Sequence, residues 1–309
     1  MTGAPSGSPE QQALRQALLD AGLLLDTGCP GVYGQSGAFL EVRLRLTELI
    51  RRAAAPDASE AMSFPPVLPR ERLEATGYLA SFPHLTGTVH AFDGSEADAA
   101  RLATLAERHQ DWSALSSTTD LALVPAACHP VYPAVAAQGV VPAGGRTIEL
   151  SPAVVFRREP SKDPARWQVF HVHELVRVAD PDTVLRWRQA WLDRALALLT
   201  GLGLDVTCEQ ASDPFFGRPG RLLAANQRQQ QLKFELTVPV TAPAPTALAS
   251  FNYHREHFAE VYGLQAGDGW PVHTACLGFG LERVTVALLA RHGFDPVRWP
   301  ASVREQLWW

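Results

Sequence analysis

Lysine is nearly absent: Lys162 and Lys233 are the only two in 309 residues, and charged residues of all kinds make up 19% of the chain. The formal net charge is −5 and the arginines are dispersed, so the clustered cations that wrap a nucleic-acid backbone are missing. This disfavours a long nucleic-acid footprint and leaves room for a local arginine patch. The four cysteines, Cys29, Cys128, Cys208 and Cys276, are far apart and form no CxxC pair, which argues against a zinc ribbon or a disulfide framework. No apolar run is long enough to span a bilayer. The weak run from Leu18 to Leu25 is broken by Asp20 and has no basic flank, unlike a secretory signal. A cytoplasmic protein with no membrane partner is the expectation.

Hydrophobic residues are plentiful at 46%, enough to bury one large core. The first ten residues, rich in Gly, Pro and Ser, read as disordered. Residues 11–309 read as one domain with a helical insertion near 182–231. Leu14, Leu18 and Leu25 have helical spacing in 11–25. Between Ala38 and Ala54 both periods are present, and the length and Arg/Glu content favour a helix. Phe64-Pro-Pro-Val-Leu-Pro69 must be extended, with a short helix over 70–76 behind it. A strand over 87–92, a helix over 96–110 and a loop over 111–120 follow.

Apolar, proline-bounded segments at 121–127, 131–135, 147–150, 153–158 and 169–178 read as strands joined in hairpins. Asp182 is the expected cap of a helix that carries Leu185, Leu192, Leu196 and Leu199 on one face and stops at Gly201. A second helix over 221–231, a strand over 232–240, a proline-rich turn over 241–245 and a strand over 247–253 complete the pattern. The fold class this implies is α+β, built on an antiparallel sheet flanked by helices.

Three segments carry chemistry. In Phe156-Arg-Arg-Glu159, strand alternation would place Arg157 and Glu159 on one side, a cation and an acceptor facing one ligand. Taken alone, such a pair is an ordinary ion pair on a strand face. Phe170, on the strand beyond the polar loop, could offer a stacking surface beside Arg157, or simply be a core aromatic. In Gly278-Phe-Gly-Leu-Glu-Arg283 the glycines permit close backbone approach, and Arg283 falls in the first turn of a helix over 281–289. The helix dipole disfavours a cation there, so Arg283 points to an anionic or π-electron partner.

These segments resemble motifs 2 and 3 of the class II aminoacyl-tRNA synthetases, and Phe64 to Leu79 is similar to the motif 1 region of the zinc-dependent seryl-tRNA synthetases of methanogens. The resemblance is closer still to the amino acid:carrier protein ligases, stand-alone homologues of that catalytic domain. The segments that carry it run in order from about Phe64 onward: Ala127-Cys-His-Pro-Val-Tyr-Pro133, Phe156 to Asp163, His173-Glu-Leu-Val-Arg177, Asp213-Pro-Phe-Phe-Gly217, Leu232-Lys-Phe-Glu-Leu236, Ala249-Ser-Phe-Asn-Tyr-His254 and Thr274-Ala-Cys-Leu-Gly-Phe-Gly280.

The resemblance implies a class II synthetase-like fold in which Arg157 binds the α-phosphate and carboxylate side. It implies that Glu159 contacts the adenine amino group, that Phe170 and Arg283 sandwich the adenine ring and that Arg166 reaches the terminal phosphates of ATP. Glu235, Ser250 and Asn252 match metal-bridging and substrate-pocket positions. It further implies zinc held by Cys128, Glu174 and Cys276, with a vacant position for the amine of an amino acid, and Mg²⁺ accompanying ATP. Cys29 and Cys208 then have no partners, and alternation turns His171 and His173 away from Glu174.

The activity implied is ATP-dependent formation of an aminoacyl-adenylate from glycine or alanine, with serine open, and transfer to the phosphopantetheine thiol of a carrier protein. A homodimer through the 64–92 region is implied as well, with Arg218, Arg221 and Arg228 as candidates for the carrier's patch. A seryl-tRNA synthetase and a non-catalytic adenylate-binding or amino-acid-binding paralogue are the rival readings. No tRNA partner is expected.

Overall fold

The computed structural model describes residues 7–241 and 244–308; the side chains of 217–219 also lie outside the described residues. Regular structure begins earlier than its sequence pattern indicated. Ser8 and Gln11 form a reciprocal capping box, so α1 (Pro9–Asp20) includes two residues read as disordered. Gly7 and the cap Ser8 precede the helix, and residues 1–6 of that expectation fall outside the described residues.

A small hairpin of β1 (Leu24–Asp26) and β2 (Tyr33–Gln35) leads into the long α2 (Gly37–Ala54), whose Phe39, Val42, Leu46, Leu49 and Ile50 are buried. Next come β3 (Glu60–Ala61), β4 (Val67–Pro69), α3 (Arg70–Ala75), α4 (Tyr78–Ser81), β5 (Thr88–Phe92), α5 (Glu96–Glu107) and β6 (Ser116–Leu123). Strands β4, β6 and β5 form a separate three-stranded sheet, and β6 begins inside the segment read as a loop.

The segment 131–135, read as a strand, is instead the helix α6 (Val131–Ala137). Val131, Tyr132 and Val135 are buried, with Tyr132 stacked on Phe258, and a short apolar run carries no period that separates strand from helix. Then β7 (Arg146–Phe156) merges the two strands read at 147–150 and 153–158, with a register shift between Leu150 and Ala153. The chain continues through β8 (Val169–Ala179) and α7 (Pro181–Gly201). The cap of α7 is Asp180, which accepts from the Thr183 N–H; Pro181 and the expected cap Asp182 lie in the first turn. Leu185 is exposed, and Trp191, Ala195 and Leu198 join Leu192 and Leu199 on the buried face.

The remaining elements are β9 (Thr207–Gln210), α8 (Gly217–Gln229), β10 (Lys233–Val238), β11 (Thr246–Arg255), α9 (His257–Tyr262), β12 (His273–Gly280), α10 (Leu281–His292) and α11 (Ala301–Trp308). Part of the expected turn over 241–245 lies outside the described residues.

The main sheet has seven strands in the order β3-β7-β8-β12-β11-β10-β9. Every neighbouring pair in it is antiparallel except β3 with β7. Helices α2 and α10 pack together along one of its faces, and their apolar sides form much of the core. No helix among the described residues is long and apolar enough to cross a membrane.

Candidate active site

Register places most of the candidate residues on one face of the main sheet. Glu174 on β8 pairs with Gly278 on β12, Gly278 with Ser250 on β11, and Ser250 with Glu235 on β10. Two residues along, Cys276 pairs with Asn252, and Asn252 with Lys233. Side chains alternate across a pleated strand, so Phe170 shares this face with Glu174. Gly278 and Gly280 add no side chain to it, which leaves the middle of the face open.

Cys128 arrives from outside the sheet, in the turn between β6 and α6. The Val131 N–H donates to the Cys128 carbonyl at 3.0 Å, and the Ala127 N–H donates to Glu174 Oε2 at 3.0 Å, docking the turn onto β8. As a result Cys128, Glu174 and Cys276 present two sulfurs and a carboxylate oxygen within 4.8 Å of one another, all three buried. Crowding and burial disfavour ionisation of all three groups. Cys128 is held well above the ordinary thiol range by its hydrogen bond to Cys276 and by burial. The partner bond lowers Cys276, but burial and the Glu174 carboxylate outweigh it, and burial raises Glu174. Two thiols and a carboxylate so placed are suited, once deprotonated, to a divalent ion such as zinc.

Around these thiols stand Asn252, a substrate-pocket candidate in the sequence, and His254 and Tyr132, to which the sequence reading gave no role. Asn252 Nδ2 donates to Cys276 Sγ at 3.5 Å, and His254 Nε2 lies 3.6 Å from the same sulfur. His254 Nδ1 is 3.3 Å from the Tyr132 hydroxyl, and Tyr132 stacks on Phe258 at 4.0 Å between centroids. Burial, reinforced by the nearby His257, pushes His254 down to about 3, so the ring is neutral. His129 is likewise pushed down to about 4 by burial, between the rings of Tyr78 and Phe258. His171 and His173 face away from the cluster, toward Glu282 and Glu149 respectively.

The arginines converge at the other end of the face. Arg157 lies 5.8 Å over the Phe170 ring and donates through Nε to the Pro125 carbonyl at 3.1 Å. Arg283 donates to the Ala165 and Ala247 carbonyls, each at 3.1 Å. Burial, then the charges of Arg157 and Arg166, depress Arg283. Guanidinium groups that repel one another in this way form a seat for a polyanion.

One local expectation fails: β7 stops at Phe156, so Arg157 and Glu159 lie in the connection beyond it and not on a strand face. Arg157 extends the ladder by one hydrogen bond, its N–H to the Gln168 carbonyl at 2.8 Å. The carboxylate of Glu159 faces Arg166 at 3.5 Å, and the Glu159 N–H donates to the Arg157 carbonyl at 2.6 Å.

Lys233 and Asp213 were also missed as site neighbours. The Lys233 ammonium lies 2.6 Å from Asp213 Oδ1 and 3.0 Å from Glu235 Oε1, and Asp213 is tied to Gln227 of α8 at 2.7 Å. Both lie in segments that carry the family resemblance without a role given to either, and strand alternation, which puts Lys233 on the face of Glu235, is the signal that could have found the lysine. Tyr78 is pushed up to about 12 by burial, with Arg157, Asp213 and Glu159 as its charged neighbours.

The chain is 44% identical over 281 residues to amino acid:acyl-carrier-protein ligase 1 of Bradyrhizobium diazoefficiens, covering 91% of this chain and 86% of that protein. Ligase 2 of the same organism is 43% identical over 291 residues, covering 94% and 86%. The chain belongs to the amino acid:acyl-carrier-protein ligase family. A type-2 serine–tRNA ligase of Methanopyrus kandleri is 30% identical over a shorter stretch of 156 residues, 48% of this chain and 29% of that one. No protein-family profile matches the chain.

Among solved structures, M. kandleri SerRS in complex with A. aeolicus tRNASec superimposes with a TM-score of 0.80 at 22% identity, over 99% of this chain and 61% of that one. Pyrococcus horikoshii seryl-tRNA synthetase complexed with ATP gives 0.67 at 15% identity, over 100% and 64%. The fold is that of the class II aminoacyl-tRNA synthetases.

Proposed function

We propose that the protein activates a small amino acid, glycine or alanine, with ATP and passes it to the phosphopantetheine thiol of a carrier protein. The observation that carries this reading is the buried Cys128, Glu174 and Cys276 cluster on the same sheet face as Phe170, with Arg157 over that ring. Membership of a ligase family so named supports the substrate pair.

In this reading Cys128, Glu174 and Cys276 hold zinc, which when bound supplies an open Lewis-acidic position for the amine of the amino acid. Tyr132, Asn252 and His254 crowd the cluster, in keeping with a small side chain. Phe170 and Arg283 flank the adenine ring, and Glu159 accepts from its amino group. Arg166 meets the terminal phosphates, and Mg²⁺ accompanies the nucleotide. Glu235, Ser250 and Asn252 line the space between the amino acid and ATP.

Arg157 orients the substrate carboxylate toward the α-phosphorus. A carboxylate oxygen forms the new bond to phosphorus, the bond to the β-phosphate bridging oxygen breaks, and pyrophosphate leaves with that electron pair. The fixed guanidinium groups offset the charge that grows on the phosphoryl oxygens. No proton is transferred in this step, so no general base is required. In the second step the carrier's sulfur bonds to the carbonyl carbon, the carbon–oxygen bond to AMP breaks, and the thiol proton leaves to solvent.

The carrier is proposed to dock on α8, where Leu222 and Leu223 are exposed beside Arg221 and Arg228; the Arg218 side chain lies outside the described residues. A homodimer through the 64–92 region completes the proposal. Two assays test it on purified, metal-loaded protein: amino-acid-dependent exchange of pyrophosphate into ATP, surveyed across the standard amino acids, and loading of a carrier beside charging of tRNA. Absence of exchange supports the non-catalytic reading, and tRNA charging without carrier loading supports the synthetase reading.

A further inference from the structure

The two residues proposed to flank adenine each have a neighbour in sequence that turns to the opposite side of the sheet. His171 follows Phe170 on β8, Glu282 precedes Arg283 on α10, and the two neighbours bond to each other. His171 Nδ1 lies 2.6 Å from Glu282 Oε1, and the His171 backbone N–H donates to Glu282 Oε2 at 2.8 Å. Gln35 Nε2 on β2 donates to Glu282 Oε1 at 2.8 Å, and Arg43 Nε on α2 donates to Gln35 Oε1 at 2.6 Å.

The backbone explains why a carboxylate occupies this place. The ladder between β8 and β12 ends at the pair Gly280 and Val172, where the chain turns into α10. No backbone of β12 continues beside His171, and the Glu282 carboxylate accepts the hydrogen bond from its N–H instead. Glu282 is only 1% exposed and Arg43 7%. A carboxylate that far from water is costly unless its oxygens are bonded. Among the described residues, all three hydrogen bonds of this carboxylate run to elements other than its own helix. Their effect is to fix the first turn of α10 against β8.

We propose that Glu282 is a positioning residue that sets the separation of Phe170 and Arg283, and through it the affinity for the adenine ring. The inference rests on the adenine reading of those two residues. Removing the strut lets α10 shift on the sheet, and a displacement of about 1 Å at a reacting site can cost roughly 100-fold in rate. The metal-binding cluster is not part of this network.

The test compares Glu282→Leu, Glu282→Gln and His171→Ala with the parent, using the metal-loaded full chain. AMP affinity by calorimetry, KM for ATP, KM for the amino acid, zinc content and Tm are measured. Glu282→Leu is expected to weaken AMP binding and raise KM for ATP by about 10-fold or more, with KM for the amino acid and zinc content within about two-fold of the parent. Glu282→Gln keeps an oxygen for the His171 N–H and is expected to lose about three-fold, and His171→Ala a similar amount, which keeps the test open if Glu282→Leu does not fold. Folded variants that bind AMP like the parent overturn the proposal, as does an equal rise in both KM values. If Phe170→Ala and Arg283→Ala leave AMP affinity unchanged, the adenine reading itself fails, a result distinct from failure of the strut.

Discussion

Asn252 and Cys276 face each other across the ladder of β11 and β12, and the Asn252 amide donates to the Cys276 sulfur at 3.5 Å. A sulfur crowded by a second thiol and a carboxylate gains from any donor that tolerates its negative charge. Outer partners of metal ligands commonly tune affinity by 10- to 100-fold. Asn252→Ala is therefore expected to weaken zinc binding by about that factor in a chelator competition, while Tm of the metal-saturated protein changes little. Unchanged zinc affinity would show that the contact is incidental.

The proposed zinc at Cys128, Glu174 and Cys276 makes metal removal a way to separate the two ends of the site. With zinc removed by a chelator, amino-acid-dependent pyrophosphate exchange is expected to disappear, while AMP still binds to the arginine end. Restoring zinc should restore exchange, and magnesium alone should not. A metal-free protein that retains full exchange would overturn the role given to Cys128, Glu174 and Cys276.

The ion pair of Lys233 with Asp213 gives a stability prediction with a definite pH sign. Burial works against both charges, and their mutual attraction outweighs it, raising Lys233 and lowering Asp213. Stability from the depressed Asp213 is full above the unfolded carboxylate value of about 3.9 and is lost as pH falls through its folded value. Stability from the raised Lys233 is full below about 10.4 and is lost as pH rises through its folded value. Lys233→Met should cost about 3 kcal/mol in urea unfolding near neutral pH. The gap between variant and parent should narrow as pH drops below about 4. A gap that persists unchanged into strong acid would refute the assignment.

Leu222 is 75% exposed on α8, in a stretch that also carries Arg221 and Arg228. Leu222→Asp combined with Arg221→Glu is expected to raise KM for an acidic carrier by about 10-fold or more, through both lost apolar contact and charge repulsion. Pyrophosphate exchange should stay at the parent rate, since no carrier takes part in it. Equal carrier loading by variant and parent would move the docking surface elsewhere.

Alternation along residues 169–178 was enough to place Phe170 and Glu174 on one face and His171 and His173 on the other, because a strand permits no other arrangement. The helix over 38–54 was legible only through its length and Arg/Glu content, because its apolar residues fit both periods, and the structure buries the helical set Val42, Leu46, Leu49 and Ile50. The segment 131–135 was not, because five apolar residues fit either element. The cap of α7 was misplaced by two residues for a similar reason, with Asp180 and Asp182 both chemically able to serve.

By itself the sequence determined which strands could present a polar face and where an arginine would meet a helix N-terminus, and resemblance added which distant residues to expect at one site. Only the tertiary structure decided that Glu174 lies opposite Gly278, that the turn at Cys128 folds down onto β8 and that Glu282 ties α10 to His171. Strand pairing and turn docking join residues dozens of positions apart. Their energies depend on register and packing between segments, and no local pattern of residue types encodes those.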